Sequence, residues 1–297
     1  MPSATSTPTD AAQPRLPELL QGNLREQESN SITFNFSDLV RSKRCLLKAA
    51  WTLNRQGIIR LRQVASADLI EAVNAQISQL LDDATHYKTS GIDDIAYLNL
   101  PNRRVLKGYN TFVDADRAVI NHRVERPDGR SGSDAGMIDI FHPERLSDEM
   151  KRLINECLQE RLIRRVIMIS CLTPMRVKCR NIYLNRGVKD TRSYHCDGRS
   201  LKFKSFLFLS NIDSLDIGPY CYVKTSHRNR RSWKLSRAFN EEHGIGMYEY
   251  SQLGDCQALP MFAAAGDMVI SSQRGAHRGH PQHTDAQRAV LVNMYQR

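Results

Sequence analysis

The chain lacks a C-x-x-C pair, an apolar run long enough to span a bilayer, and an aromatic–basic motif of the kind that grips nucleic acid. Its seven cysteines (Cys45, Cys157, Cys171, Cys179, Cys196, Cys221, Cys256) are odd in number and scattered, which argues against both a disulfide framework and a zinc ribbon. Reduced thiols in a reducing compartment are the expectation. No stretch approaches the roughly 18 uncharged apolar residues of a membrane span, and no basic segment followed by an apolar one opens the chain. We therefore expect a cytoplasmic protein with no membrane span.

What is present in excess is positive charge. The formal net charge is +10, a field that suits nucleic acid, anionic lipid or an anionic small molecule. Basic residues cluster at Arg161, Arg164 and Arg165, and again at Arg228, Arg230, Arg231, Lys234 and Arg237. A solvated basic surface explains such runs, and an anion-binding role suits the second one. Without zinc-finger spacing or an aromatic–basic motif, nucleic acid is the weaker partner. Apolar residues at 41% and charged residues at 25% describe an ordinary globular chain able to bury a sizeable core.

Residues 1–30 are rich in Ser, Thr, Pro, Ala and Gln and read as a flexible tail. Residues 31–297 read as a single domain, with helical and mixed support over 31–175 and a β core over about 176–297. From Ser37 to Gln56, Leu39, Leu46, Leu47, Ala50 and Leu53 recur at helical spacing, and Gly57 supplies the stop. Gly57 to Leu61 follows as a short strand. Ser66 caps the next helix, whose apolar stripe is Leu69, Val73, Ile77 and Leu80 or Leu81. Residues 88–145 carry turn signals at Pro101, Gly108, Pro127, Gly129, Gly132 and Gly136, with a strand at Met137 to Phe141. Ser147 caps a helix that the periodicity carries to about Ile163. Beyond Arg176, short β-prone segments alternate with turns: Val177–Leu184, Arg192–Asp197, Lys204–Leu209, Tyr220–Val223, Met268–Ser271 and Ala289–Tyr295. This arrangement predicts an all-β barrel or sandwich with the helices packed outside.

Two H-x-D triplets occur, His195-Cys196-Asp197 and His283-Thr284-Asp285. On an extended strand, residues i and i+2 share a face, so either triplet presents two ligands together. Only twelve residues follow the second triplet, and none is histidine. The first is followed by a turn at Gly266-Asp267, a strand, His277 just beyond that strand's end, and Arg288. His277 is the favoured third ligand, with His280 and His283 as rivals, and His227 reads as part of a turn. Two histidines and a carboxylate suit non-haem Fe(II) and also catalytic zinc. Arg288 shares a strand face with Val290, Val292 and Met294, and a lone inward arginine needs an anion. A carboxylate-clamping arginine tips the metal toward iron with an oxoacid co-substrate. A structural ion pair is the alternative role for Arg288.

These residues resemble the phytanoyl-CoA dioxygenase-like branch of the Fe(II)/2-oxoglutarate-dependent oxygenases. The likeness rests on His195-Cys196-Asp197, the stretch Gly218 to His227, Gly266-Asp267-Met268-Val269-Ile270, and His277 to Arg288. It covers about residues 177 to 295, and more loosely the helix–strand–helix near the start. The resemblance implies a mainly β fold with packed helices, the cupin-like double-stranded β-helix or jelly roll. It implies that His195, Asp197 and His277 hold Fe(II) and that Arg288 binds the far carboxylate of 2-oxoglutarate, with O2 as the second co-substrate. Asn181, Tyr183 and Asn185 alternate on one strand and are expected to line the co-substrate site. Gly279 stands where a hydroxyl would assist the arginine in the family. Related halogenases replace the carboxylate ligand by glycine or alanine, so Asp197 implies hydroxylation or another oxidation without halide, with release of succinate and CO2, and the basic segment after His227 suits a small anionic metabolite as the substrate. Desaturation, ring closure and demethylation start from the same oxidant. A catalytically silent jelly-roll binding protein and a basic nucleic-acid-associated oxygenase are the competing readings.

Overall fold

The computed structural model describes residues 29–82, 95–97, 118–123, 125, 131–253 and 258–297. Most of the expected N-terminal tail, much of the loop-rich stretch 88–145, and Cys256 lie outside the described residues. Twelve strands form two sheets. The first strands are β1 (Thr33–Asn35), β2 (Ile58–Arg62), β3 (Ile95–Tyr97), β4 (Val119–His122), β5 (Met137–Phe141) and β6 (Arg176–Arg186). They are followed by β7 (Lys202–Phe208), β8 (Tyr220–Val223), β9 (Ala258–Met261), β10 (Met268–Ser272), β11 (His277–Gly279) and β12 (Gln287–Gln296). The large sheet has the order β1-β2-β10-β7-β12-β6-β5-β4-β3, and the small one β11-β8-β9. Among the described residues only β1 and β2 pair in parallel. This is the jelly roll, and the strands that close it lie far apart in sequence, as β10 beside β2 and β12 beside β6 show.

Side-chain alternation divides the core into two layers. On β12, Val290 and Val292 point into the space between the sheets, where they join Tyr183, Phe206, Phe208, Tyr220, Tyr222 and Val269. Leu291 points the other way and packs with Ile182, Leu207 and Ile270 under the helices. Tyr295, four residues beyond Leu291, lies on the same helical side, while the register against β6 shifts between Met294 and Tyr295 because β6 carries an extra residue at Lys178.

The helical layer is built from α1 (Phe36–Arg41), α2 (Lys43–Gln56), α3 (Ala67–Asp82), α4 (Asp148–Leu158) and α5 (Glu160–Cys171), while α6 (Arg230–Glu242) lies elsewhere. The helix expected over 37–56 is interrupted at Ser42, whose hydroxyl accepts from the Cys45 amide and caps α2. The one expected from Ser147 to Ile163 is likewise two helices. Ser147 caps α4 as expected, but Gln159 adopts a left-handed conformation (φ 44°) and restarts the chain as α5. The expected caps at Ser66 and Ser147 are both made, to Leu69 N–H and Met150 N–H.

Gly57 ends α2 with φ 80°, and a Cβ there would stand 2.5 Å from both His227 Nδ1 and Tyr222 Oη. Left-handed backbone and the absence of space both require glycine at this position. Gly57→Ala is expected to destabilise the fold by about 2 kcal/mol or more. Chemical denaturation would check it, and an unchanged midpoint would contradict the role assigned to Gly57.

Candidate metal centre

The segment 192–197, expected as a strand, is pared down to a bridge. His195 N–H donates to His277 O (3.0 Å) and His277 N–H to His195 O (2.9 Å), adding His195 to the free edge of β11. Asp197 N–H donates to Gln273 O at 2.9 Å, which fixes the second end of the H-x-D segment to the turn before β11. The three chemistry-bearing residues therefore sit on two chain segments stitched directly to each other. His277 opens β11 rather than lying beyond a strand end, and pairs with Tyr222.

Alternation then aims the side chains. Cys196 belongs to an outer cluster with Tyr194, Cys221, Val223 and Tyr250, whereas His195 and Asp197 face inward. Histidine Nδ1 atoms are occupied by local carbonyls, Ser193 O at 2.7 Å for His195 and Gly275 O at 2.9 Å for His277. Each Nδ1–H donating to a carbonyl leaves Nε2 as the lone-pair atom, the tautomer a metal ligand needs. Asp197 Oδ1 stands 3.8 Å from each Nε2. One ligand atom from each of the three residues lies within 4.8 Å of the others, the only such group of three among the described residues. Two neutral imidazoles and a carboxylate fit a first-row divalent cation.

Charge supports that fit. Burial pushes the His195 pKa well down, reinforced by His277 and Arg192. It lowers His277 too, with Lys204 adding to the effect and Asp197 opposing it. Both rings are thus neutral near pH 7. Burial alone would raise Asp197, but Lys204 first, then His277 and His195, hold its carboxyl well below the usual range. Lys204 Nζ lies 2.7 Å from Asp197 Oδ2. One carboxylate oxygen is therefore clamped by the lysine and the other is turned toward the histidines. Burial works against the charge on Lys204, yet Asp197 and Tyr183 outweigh it and its pKa is raised.

Lys204 went unrecognised in the sequence, although a signal was there. On β7 it shares the inward face with Phe206 and Phe208, so it is a charge on an apolar strand face, the same pattern that singled out Arg288.

Arg288 starts the inward face of β12, opposite Asn185 on β6. Its Nη1 donates to Gly218 O, and Nη2 would be 3.6 Å from a Cβ built on Gly279. Gly279 lies two residues along β11 from His277, a step of about 6.6 Å. The guanidinium thus sits about one strand repeat from His277, within ordinary van der Waals reach of a Cβ at position 279. Tyr183 lies on the same inward face as Asn185. Asn181 is engaged with its strand neighbours, accepting from Cys179 Sγ (2.9 Å) and donating to Tyr183 Oη (3.4 Å).

The rival histidines are elsewhere. His280 Nδ1 contacts Pro281 O, and the His283 side chain is 66% exposed beside Asp285. His227 Nε2 bonds Asn54 O and shapes the turn after β8, as the sequence suggested. The basic run after it forms α6, whose Trp233 packs with Cys221 and Val223. Those residues alternate with the inward Tyr220 and Tyr222, so α6 and its charges lie on the far side of the small sheet from His277.

No protein-family model matches the chain, and no curated protein matches it. Solved structures do. The chain is similar to the epimerase SnoN in complex with Fe3+, alpha ketoglutarate and nogalamycin RO, at 14% identity and TM-score 0.56, over 86% of this chain and 84% of that one. It is similar to the alpha ketoglutarate-dependent carbocyclase SnoK from nogalamycin biosynthesis, at 15% identity and TM-score 0.54, over 86% and 83%. AviO1 from Streptomyces viridochromogenes Tue57 matches at 15% identity and TM-score 0.51, over 84% of this chain and 93% of that one. At these identities the likeness establishes the double-stranded β-helix fold.

Two outcomes follow from the buried charges. In the unfolded chain the histidines have ordinary pKa values near 6.5, while His195 and His277 resist protonation when folded. As pH falls below about 6.5 the unfolded state binds the extra protons, so stability is lost from there down to the depressed folded values. Thermal melts of the metal-free protein should show this loss between about pH 7 and about pH 5, and a smaller one in His277→Gln. Lys204→Met, which strands the Asp197 carboxylate, should cost about 3 kcal/mol. A double variant that also carries Asp197→Leu should recover much of that loss in urea denaturation. Additive losses would show that the two side chains do not act as a pair.

Proposed function

We propose that the chain is a non-haem Fe(II)- and 2-oxoglutarate-dependent oxygenase that oxidises a small organic molecule, with hydroxylation as its outcome. The observation that carries this reading is the convergence of His195 Nε2, His277 Nε2 and Asp197 Oδ1, with Arg288 one strand repeat away. The resemblance of these residues to the phytanoyl-CoA dioxygenase-like branch points the same way. So do the Fe3+ and alpha ketoglutarate named for SnoN, although SnoN and SnoK are described as an epimerase and a carbocyclase.

In this reading His195, Asp197 and His277 would hold the metal. Fe(II) bound there would, with 2-oxoglutarate and O2, supply an oxidant strong enough to remove hydrogen from carbon, releasing succinate and CO2. The remaining work is done by this chain. Arg288 takes the far carboxylate of 2-oxoglutarate through paired guanidinium donors. Asn185, opposite Arg288, and Tyr183 line the same inward face, while Asn181 supports Tyr183 from behind. Lys204 fixes the Asp197 rotamer so that one oxygen faces the histidines. Tyr220, whose ring lies 5.6 Å from that of His277, and Phe206 packed against it give the inward face an apolar wall beside the centre.

One observation favours the competing reading of a silent jelly-roll binding protein, since the Lys204 contact already satisfies one oxygen of Asp197. Anaerobic Fe(II) titration with 2-oxoglutarate separates the two, because the oxygenase should develop a visible charge-transfer band. Succinate release, screened over pools of candidate substrates, should be abolished by His195→Ala and by Asp197→Ala. Arg288→Met should raise KM for 2-oxoglutarate at least about 30-fold while iron is retained. Succinate formation surviving in both ligand variants would remove the metal assignment.

A further inference from the structure

Four large apolar side chains of the helical layer are held in solvent. Val40 on α1 is 63% exposed, Leu47 and Trp51 on α2 are 55% and 61% exposed, and Leu172, directly after α5, is 90% exposed. Leu47 and Trp51 are one turn apart on the face opposite the buried Leu46, Ala49, Ala50 and Leu53. The C-terminal turns of α2 and α5 meet, because Asn54 Nδ2 donates to Ser170 O at 2.7 Å. Leu172 therefore follows α5 at the end of α2 that carries Trp51.

The charges around these side chains are predominantly positive, with Asp38 on α1 the exposed exception. Arg41, Lys43, Arg44, Lys48 and Arg55 are exposed on α1 and α2, and Arg161 and Arg165 on α5. Helix α2 contains no acidic residue, and the single acid of α5, Glu160, is paired with Arg180. The Arg55 guanidinium lies 5.2 Å over the Trp51 ring, an arrangement that keeps a cation and an aromatic ring at the same level.

Leu172 supplies an independent sign. It has φ 49° and ψ 35°, a left-handed conformation that costs a branched side chain stability and usually falls to glycine or asparagine at a helix end. At 90% exposure, packing within the fold offers little return for that strain. A leucine here is understandable if it is buried by something outside the chain.

We propose that the α1–α2–α5 surface docks on an anionic lipid bilayer, with Val40, Leu47, Trp51 and Leu172 entering the headgroup–acyl boundary and the flanking lysines and arginines meeting lipid phosphates. A basic helix face carrying tryptophan and leucine has the composition of an interfacial membrane helix. Nucleic acid would use the same charges but has no use for four projecting apolar side chains, so the apolar component favours lipid. The surface lies on the outside of the helical layer and is independent of the metal reading.

The test uses the full chain with phosphatidylcholine vesicles, with and without phosphatidylglycerol. Cosedimentation is expected only with the anionic vesicles. In a Trp233→Phe background, which leaves Trp51 as the sole tryptophan, emission should shift to the blue on binding. Lys48→Glu and Arg44→Glu should weaken binding about fivefold per unit of charge. Leu47→Ala and Leu172→Gly should each weaken it at least about fivefold. Leu172→Gly relieves a strained backbone, so its thermal midpoint should stay level or rise while vesicle affinity falls. Failure to bind anionic vesicles would overturn the proposal. So would binding that is indifferent to Leu47→Ala and Leu172→Gly, or a duplex oligonucleotide that displaces the vesicles and binds both apolar variants undiminished.

Discussion

The exchange of two backbone hydrogen bonds between His195 and His277 is the constraint on which the centre depends. It joins residues 82 positions apart, and each partner is itself a candidate ligand, so pairing and site assembly are one event. Everything that brings β11 to the right place contributes indirectly: its ladder with β8, the contact of Asp197 N–H with Gln273 O, and the bond from Gln273 N–H to Lys202 O that returns the chain to β7. The imidazole tautomers follow from the same local backbone, because the carbonyls two residues before each histidine occupy Nδ1. Orientation of the donor atoms is thus built in by main chain, and only Asp197 relies on another side chain.

Much of this architecture could be read from the sequence. The β-prone segments at 177–184, 204–209, 220–223, 268–271 and 289–295 are all strands, within about two residues at their ends, because alternation and turn chemistry are local signals. The choice of His195-Cys196-Asp197 over His283-Thr284-Asp285, and of His277 over its rivals, agrees with where the side chains converge. Helix α6 was missed for a physical reason. Its buried residues are Ser236 and Asn240, which serve the loop after it through Gln252 N–H, Gly246 O and Glu249 O, so it has no continuous apolar stripe to detect. The break at Gln159 was equally silent, since neither glycine nor proline marks it.

Two inward charges illustrate the limit of reading one strand at a time. Arg288 could be singled out because its strand neighbours are apolar and because a downstream arginine has a chemical purpose. Lys204 has apolar neighbours too, but its purpose appears only when β7 is placed beside the H-x-D segment and its Nζ meets Asp197. Each is stabilised by a different kind of partner, a carboxylate for the lysine and a carbonyl within the barrel for the arginine.

The reduced strand that carries His195 and Asp197 has a further consequence. These residues are held at discrete points rather than along a full ladder, and the segment 248–250 supplies several of those points: Cys196 N–H donates to Tyr248 O at 2.9 Å, Tyr250 N–H donates to Tyr194 O at 2.6 Å, and Glu249 bridges to His195. The loop that follows α6 is therefore part of the frame of the donor atoms, and a change in its length would be felt at His195 and Asp197 although it touches neither sheet's ladder.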